Sequence, residues 1–152
     1  MISSTMRSAA MTAFDFQVTW ADLDSNAHLK NSRYLDYAAQ ARFLFLAQAG
    51  FTPQAFAEAR MGPVVFEDRV EYRKELRLLQ HFSVGMKVSA LTEDGAKFTM
   101  VNEVLNPKGE LCARVVTSAA WFSLETRKVT APPPGLKAAM EAAERTEDFR
   151  WL

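Results

Sequence analysis

The sequence predicts an α+β domain in which a curved, five-stranded antiparallel sheet wraps around one long buried helix. Three observations predict it. Five segments alternate apolar and polar residues with a period of two, the mark of strands with one buried face. The stretch from Ser32 to Gln48 is apolar on nearly every side, and such a helix belongs inside a core. The later strands are joined by short polar turns, which favours antiparallel neighbours. An antiparallel sheet has to cover its apolar face, and this helix is the available filling.

"FDFQVTWADL" opens the domain. Phe14, Phe16, Val18 and Trp20 alternate with Asp15, Gln17 and Thr19. The long helix follows, with Ser32 as N-cap and Gly50 as its stop. Tyr34, Leu35, Tyr37, Ala38, Ala39, Ala41, Phe43, Leu44, Phe45, Leu46 and Ala47 leave it few polar points. "TPQAFAEAR" is a short second helix, capped by Thr52 and opened by Pro53. "VVFEDRVEYR" alternates Val64, Phe66, Val70 and Tyr72 against charged residues. "FSVGMKVSAL" is the third strand. "KFTMVNEVLN" follows the Glu93–Gly95 turn, and "ELCARVVTSAAWFSLE" follows the Asn106–Gly109 turn. The last of these is partly apolar on both faces, as expected of a central strand. "APPPG" breaks the chain, and "LKAAMEAAERTEDF" reads as a peripheral amphipathic helix. The division is therefore a loose leader over 1–13, the domain over 14–130, and an appendage over 131–152.

A chain of 152 residues suits one domain. With 18 basic and 18 acidic residues, the net charge of zero argues against bulk attraction to nucleic acid or an anionic membrane. Cys112 is the only cysteine, which rules out an intrachain disulfide and a cysteine-rich metal site. No H-E-x-x-H spacing occurs, so no metal site is expected. No apolar run approaches the roughly 18 residues of a membrane span. The leader has no apolar block and does not read as a secretory signal, so the cytoplasm is the expected location.

The chemistry gathers in "DLDSNAHLKN", between the first strand and the long helix. Asp and Asn before a helix are ordinary turn residues, and turning the chain is one reading of the segment. Three features favour another. The polar groups lie beside apolar surface, where a carboxylate's acidity can be tuned. N–H groups at a helix start are unpaired and lie at the positive end of its dipole, so they can polarise a carbonyl oxygen. A nearby carboxylate can attack a carbonyl carbon or activate water toward it. These are the parts for acyl transfer to water. There is no G-x-S-x-G elbow, and Cys112 sits mid-strand, so a serine or cysteine nucleophile is disfavoured. Arg69, Arg73, Lys74 and Arg77 could meet phosphate groups. The interleaved Glu67, Glu71 and Glu75 equally suit a charge-paired, solvated strand face.

"DLDSNAHLKNSRYLDY" resembles the signature of hotdog-fold acyl thioesterases of the 4-hydroxybenzoyl-CoA thioesterase-like family. Its D-x-D-x-N-x-H-x-x-N-x-x-Y spacing is also similar to the active-site strip of acyl-ACP thioesterases, and "VEYRKELR" resembles the family's next strand. The resemblance spans about Phe14 to Glu125. It implies a single hotdog domain in which Asp24 is the catalytic carboxylate, as nucleophile or as general base. It implies that Asn26 and His28 orient water or that carboxylate. Asn31, Ser32 and Arg33 would bind substrate through the amides of the helix start, and Asp22 would brace the loop. Arg73 and Lys74 are the candidate coenzyme A contacts. The chain departs from many relatives in lacking Ala-Gly or Gly-Gly after the aspartate pair.

The expected activity is hydrolysis of an acyl-CoA, with acyl carrier protein as the alternative thiol carrier. Coenzyme A is then part of the substrate, and no other cofactor is expected. A homodimer or homotetramer is expected, because the resemblance places the site between two subunits. Two other readings stay open. One is a hotdog enoyl hydratase or dehydratase, whose strip carries a proline and one more residue between Asp and His than "DSNAH". The other is a non-catalytic acyl-binding module.

Overall fold

The computed structural model describes residues 12–152. The leader's first eleven residues lie outside the described ones. Its last, Ala13, already belongs to β1 (Ala13–Gln17), ahead of the Phe14 start read from sequence. A single 3-10 turn at Trp20–Asp22 leads into the polar loop. Then come α1 (Asn31–Gln48), α2 (Pro53–Ala59), β2 (Met61–Tyr72), β3 (His81–Gly85), β4 (Lys87–Leu91), β5 (Lys97–Leu105) and β6 (Leu111–Ser123). The chain closes with α3 (Pro134–Ala142) and β7 (Arg145–Trp151).

The sheet has seven strands in five rows. β2 pairs with β6 and β6 with β5, all antiparallel. The other edge of β5 is covered by β3 and then β4. Ser83 lies opposite Leu105 and Lys87 opposite Val101, so one register runs through both. "FSVGMKVSAL" is thus one row interrupted at Met86, whose N–H turns out to the Thr12 carbonyl at 2.7 Å. The interruption lets two different strands cover that row. β1 pairs antiparallel with β3, while β7 runs parallel to β4. Gly95 and Gly109 take positive φ in the turns before β5 and β6, where a side chain would be strained.

α1 packs across one face of the sheet. Tyr34, Ala38, Ala41, Phe45 and Leu46 are its buried stripe, over Phe82, Val84, Met100, Val104 and Val115. This corrects the expectation of a helix enclosed on all sides. Within one chain it is buried along one stripe, and Ala39 and Phe43 face outward. Lys30, not Ser32, holds the N-cap position, and no described side chain caps this end. Thr52 does cap α2, accepting from the Ala55 N–H at 3.3 Å.

The C-terminal segment also differs from its reading. The helix stops at Ala142, and "RTEDFRW" is a strand. Leu136 and Met140 are fully buried, so the segment read as peripheral completes the core and extends the sheet. Its charged side chains suit an edge strand that has to resist pairing with other chains.

Candidate active site

The loop after the 3-10 turn is closed around Asp24. The Asp24 N–H donates to the His28 carbonyl at 2.9 Å, and the Ala27 N–H donates to the Asp24 carbonyl at 3.1 Å. Ala27 takes φ 62°, a left-handed conformation that glycine would hold more cheaply. Asp24 Oδ1 accepts from the N–H of Asn26 at 2.9 Å and of His28 at 3.1 Å. The His28 hydrogen bond, joined by that from Asn26, holds the Asp24 carboxyl below its ordinary range against a smaller opposing effect of desolvation. Asp24 is therefore ionised at neutral pH, and no described donor engages its other oxygen.

Asp22, two residues earlier, is a different kind of carboxylate. It is 6% exposed. Oδ2 accepts from the Thr19 N–H, the Thr19 hydroxyl and, at 2.5 Å, the Tyr37 hydroxyl, while Arg33 Nε lies 3.4 Å from Oδ1. Burial works to raise its pKa, but these hydrogen bonds and the Arg33 charge outweigh it and lower the pKa. Burial and the Asp22 charge push the Tyr37 hydroxyl up to about 12, so it stays a donor. Asp22 ties loop to helix, as the resemblance implied.

A cleft of about 330 Å³ opens on the Asp24 side. The loop contributes Asp24, His28 and Leu29, and the helix start contributes Asn31 and Tyr34. The end of β2 and the residues after it contribute Tyr72, Arg73, Lys74 and Glu75. The long loop is stitched to this segment by the Leu29 N–H to the Leu76 carbonyl at 2.7 Å. Tyr72 donates its hydroxyl to the Asn31 carbonyl at 2.9 Å and stands edge-on to Tyr34, whose hydroxyl burial pushes up to about 12. His28 Nε2 lies 3.0 Å from Glu75 Oε2.

Of the residues singled out from sequence, Asp24, His28, Asn31, Arg73 and Lys74 meet at this cleft. Asn26, Ser32 and Arg33 do not line it. Asn26 and Ser32 are exposed, with Asn26 contributing its backbone N–H to Asp24. Arg33 turns to the opposite flank of α1, toward Asp22 and Asp36. Arg73 pairs with Glu71 at 2.9 Å and Lys74 with Glu110, so the charge-paired strand face is also real. Sequence reasoning did not single out Glu75 or Tyr72 for the site. Both act across the fold, on residues more than forty positions away, and neither carries a local motif. Cys112 is buried, and burial raises its pKa, which suits an inert core thiol. Among the described residues no group of three or more His, Cys, Asp or Glu could hold a metal ion.

A mostly antiparallel sheet packed on one long helix is the hotdog arrangement, and here an ionised carboxylate and an uncapped helix start share a cleft. Residues 18–140 match the model of the thioesterase-like superfamily, and the chain belongs to that family. Solved structures agree on the fold. A 1,4-dihydroxy-2-naphthoyl-CoA thioesterase from Synechocystis aligns with TM-score 0.78 at 16% identity, over 86% of this chain and 96% of that one. A Staphylococcus aureus protein solved in complex with CoA aligns at 0.81 with 18% identity, over 91% of each chain. A DHNA-CoA thioesterase from Staphylococcus aureus aligns at 0.71 with 18% identity, over 79% of each. No described helix is long and apolar enough to cross a membrane.

Proposed function

We propose that this protein hydrolyses acyl-CoA: the thioester and water give a free acid and coenzyme A. One observation carries the reading, the meeting of the Asp24 carboxylate and the uncapped first turn of α1 at one cleft. The N–H groups of that turn donate to the thioester carbonyl oxygen and stabilise the negative charge that develops on it. Asp24 acts through its free oxygen, either on the carbonyl carbon or on a water directed at it. The carbon–sulfur bond breaks, the water oxygen enters the acid, and a water proton passes to the departing thiolate. His28, held by Glu75, positions the loop at the cleft wall, and Asn26 helps through its N–H. The reaction as written requires no metal or resident cofactor.

Arg73 and Lys74 support coenzyme A as the thiol carrier. Both are exposed, and solvent screening leaves exposed ion pairs with little net stabilisation. A phosphate can therefore displace Glu71 or Glu110 at small cost. The family and the CoA-bound relative point the same way. Use of coenzyme A also fits a cytoplasmic location.

The working unit is a homodimer joined through β2. That strand is a sheet edge with Phe66 at 59% and Tyr72 at 49% exposure, and a long bare edge invites pairing. Its outward row Glu67, Arg69, Glu71 and Arg73 alternates in sign. An antiparallel copy centred on Val70 sets Arg69 opposite Glu71 and Glu67 opposite Arg73. Such pairing brings a second subunit beside Tyr72 and the cleft.

Thiol release across a panel of acyl-CoAs tests the function. Steady release is expected from at least one. Silence on every acyl-CoA, or loss of an enoyl double bond with the thioester intact, would overturn it in favour of a binding module or a hydratase.

A further inference from the structure

We infer that Arg42 reads the far end of the acyl group and selects chains that end in a carboxylate. The inference rests on the thioesterase reading of the cleft, and it concerns a residue that lies outside that cleft. Arg42 is on the flank of α1 that faces β2. Its Nη1 donates to Asn102 Oδ1 at 3.1 Å and to Thr117 Oγ1 at 3.2 Å. Asn102 and Thr117 are both fully buried, and Asn102 is itself fixed by its Nδ2 bond to the Gly85 carbonyl. The Thr117 hydroxyl in turn donates to Asp68 Oδ1 at 2.6 Å. The guanidinium is thus held by two neutral acceptors, with the nearest carboxylate one hydrogen bond further out. A guanidinium carries five N–H donors. Nη2 and Nε have no partner among the described residues, and Arg42 makes no ion pair there.

The position of this arginine relative to the reacting end follows from register. Tyr72 lies opposite Ala113, Val70 opposite Val115 and Asp68 opposite Thr117, so all three β2 residues point to the helix side of the sheet. At one end Tyr72 bonds the first residue of α1, Asn31, and at the other Asp68 reaches Arg42 through Thr117. From Tyr72 to Asp68 is four strand residues, about 14 Å. From Asn31 to Arg42 is eleven helix residues, about 16 Å. Helix and edge strand therefore run side by side, with half-buried Leu35 and Val70 between the two ends. An acyl chain anchored by its thioester at the helix start and laid along this apolar seam meets a charged donor where a plain alkyl chain would end in methyl. Unspent N–H donors in a half-buried place favour a carboxylate there, with bidentate geometry available.

The matched pair decanedioyl-CoA and decanoyl-CoA tests this. The wild-type protein is expected to favour the first by tenfold or more in kcat/KM. Arg42→Met is expected to remove that preference and Arg42→Lys to keep part of it. Asp68→Asn, at an exposed site, is expected to enlarge it by removing a competing negative charge. An arginine that merely ties helix to sheet would change stability and leave the ratio alone. A wild-type ratio of one or less, or a ratio that Arg42→Met leaves unchanged, overturns the inference. Should Arg42→Met not fold, Asp68→Asn decides: an unchanged ratio there counts against the inference. Calorimetric binding of free decanedioate against decanoate separates the two proposals. Tighter, Arg42-dependent binding of the diacid without any thiol release sinks the hydrolase reading and keeps this one. Brisk hydrolysis with no carboxylate preference does the reverse.

Discussion

The two flanks of α1 are built to opposite plans. On the flank facing β1 and β3, Phe16, Tyr37 and Phe82 interlock with ring centroids 4.9–5.7 Å apart. The buried carboxylate there is answered, Asp22 by Thr19, Tyr37 and Arg33. On the flank facing β2, Asn31 opens onto a cleft, Asp24 keeps an oxygen free, and Arg42 keeps N–H donors unspent. Two aspartates of one short motif thus fall to different tasks. What separates them is less their acidity, since both pKa values are lowered, than access. A saturated carboxylate holds a fold together, and one held from a single side can meet a substrate.

The sharpest way to break this comparison is to remove the two carboxylates one at a time. Asp24→Asn should lower kcat/KM on acyl-CoA by roughly a thousandfold, as loss of a general base or nucleophile does, with the melting temperature little changed. Asp22→Ala should do the opposite. It strands the Tyr37 hydroxyl and the Thr19 donors, and should cost about 2 kcal/mol of stability by chemical denaturation. Equal effects of both on both readouts would erase the distinction.

Smaller effects sharpen it. His28→Ala should reduce kcat/KM by about tenfold, less than the roughly hundredfold or more that loss of a general acid or base costs, because His28 only positions the loop. The pH dependence carries a sign for each aspartate. Asp24 has a folded pKa below its ordinary 3.8, so the acid limb of kcat/KM should have its midpoint below that value. Asp22 is also lowered, so its stabilisation is present above 3.8 and fades as pH drops through its lower folded value. Wild-type protein should therefore lose more stability than Asp22→Asn over that acid window. Ala27→Gly relieves the left-handed backbone of the loop and should stabilise the fold by about 1 kcal/mol.

What was legible in the sequence was local. Period-two alternation located β1, β2, β5 and β6, and the Thr52–Pro53 pair located α2, because burial on one face leaves its mark on each strand separately. The polar strip located Asp24, His28 and Asn31. What was illegible was relational. "ERTEDF" reads as helix because its charges and helix formers say nothing of β4, the strand it joins. The composition of α1 suggested a core on all sides, yet one sheet can cover only one stripe of it. Glu75 and Tyr72 reach the site from the far end of β2, and no spacing rule links them to His28 or Asn31. Arg42 carries no motif in the sequence, because Asn102 and Thr117, which hold it, lie sixty and seventy-five residues further on.

The most direct test is a crystal structure of Asp24→Asn with an intact acyl-CoA bound. The thioester carbonyl oxygen should rest on the N–H groups of Asn31 and Ser32, with its carbon beside residue 24 and the acyl chain running toward Arg42. An acyl-CoA seated instead against Phe16 and Tyr37, or in the apolar hollow between Phe45 and Ala139, would contradict the account.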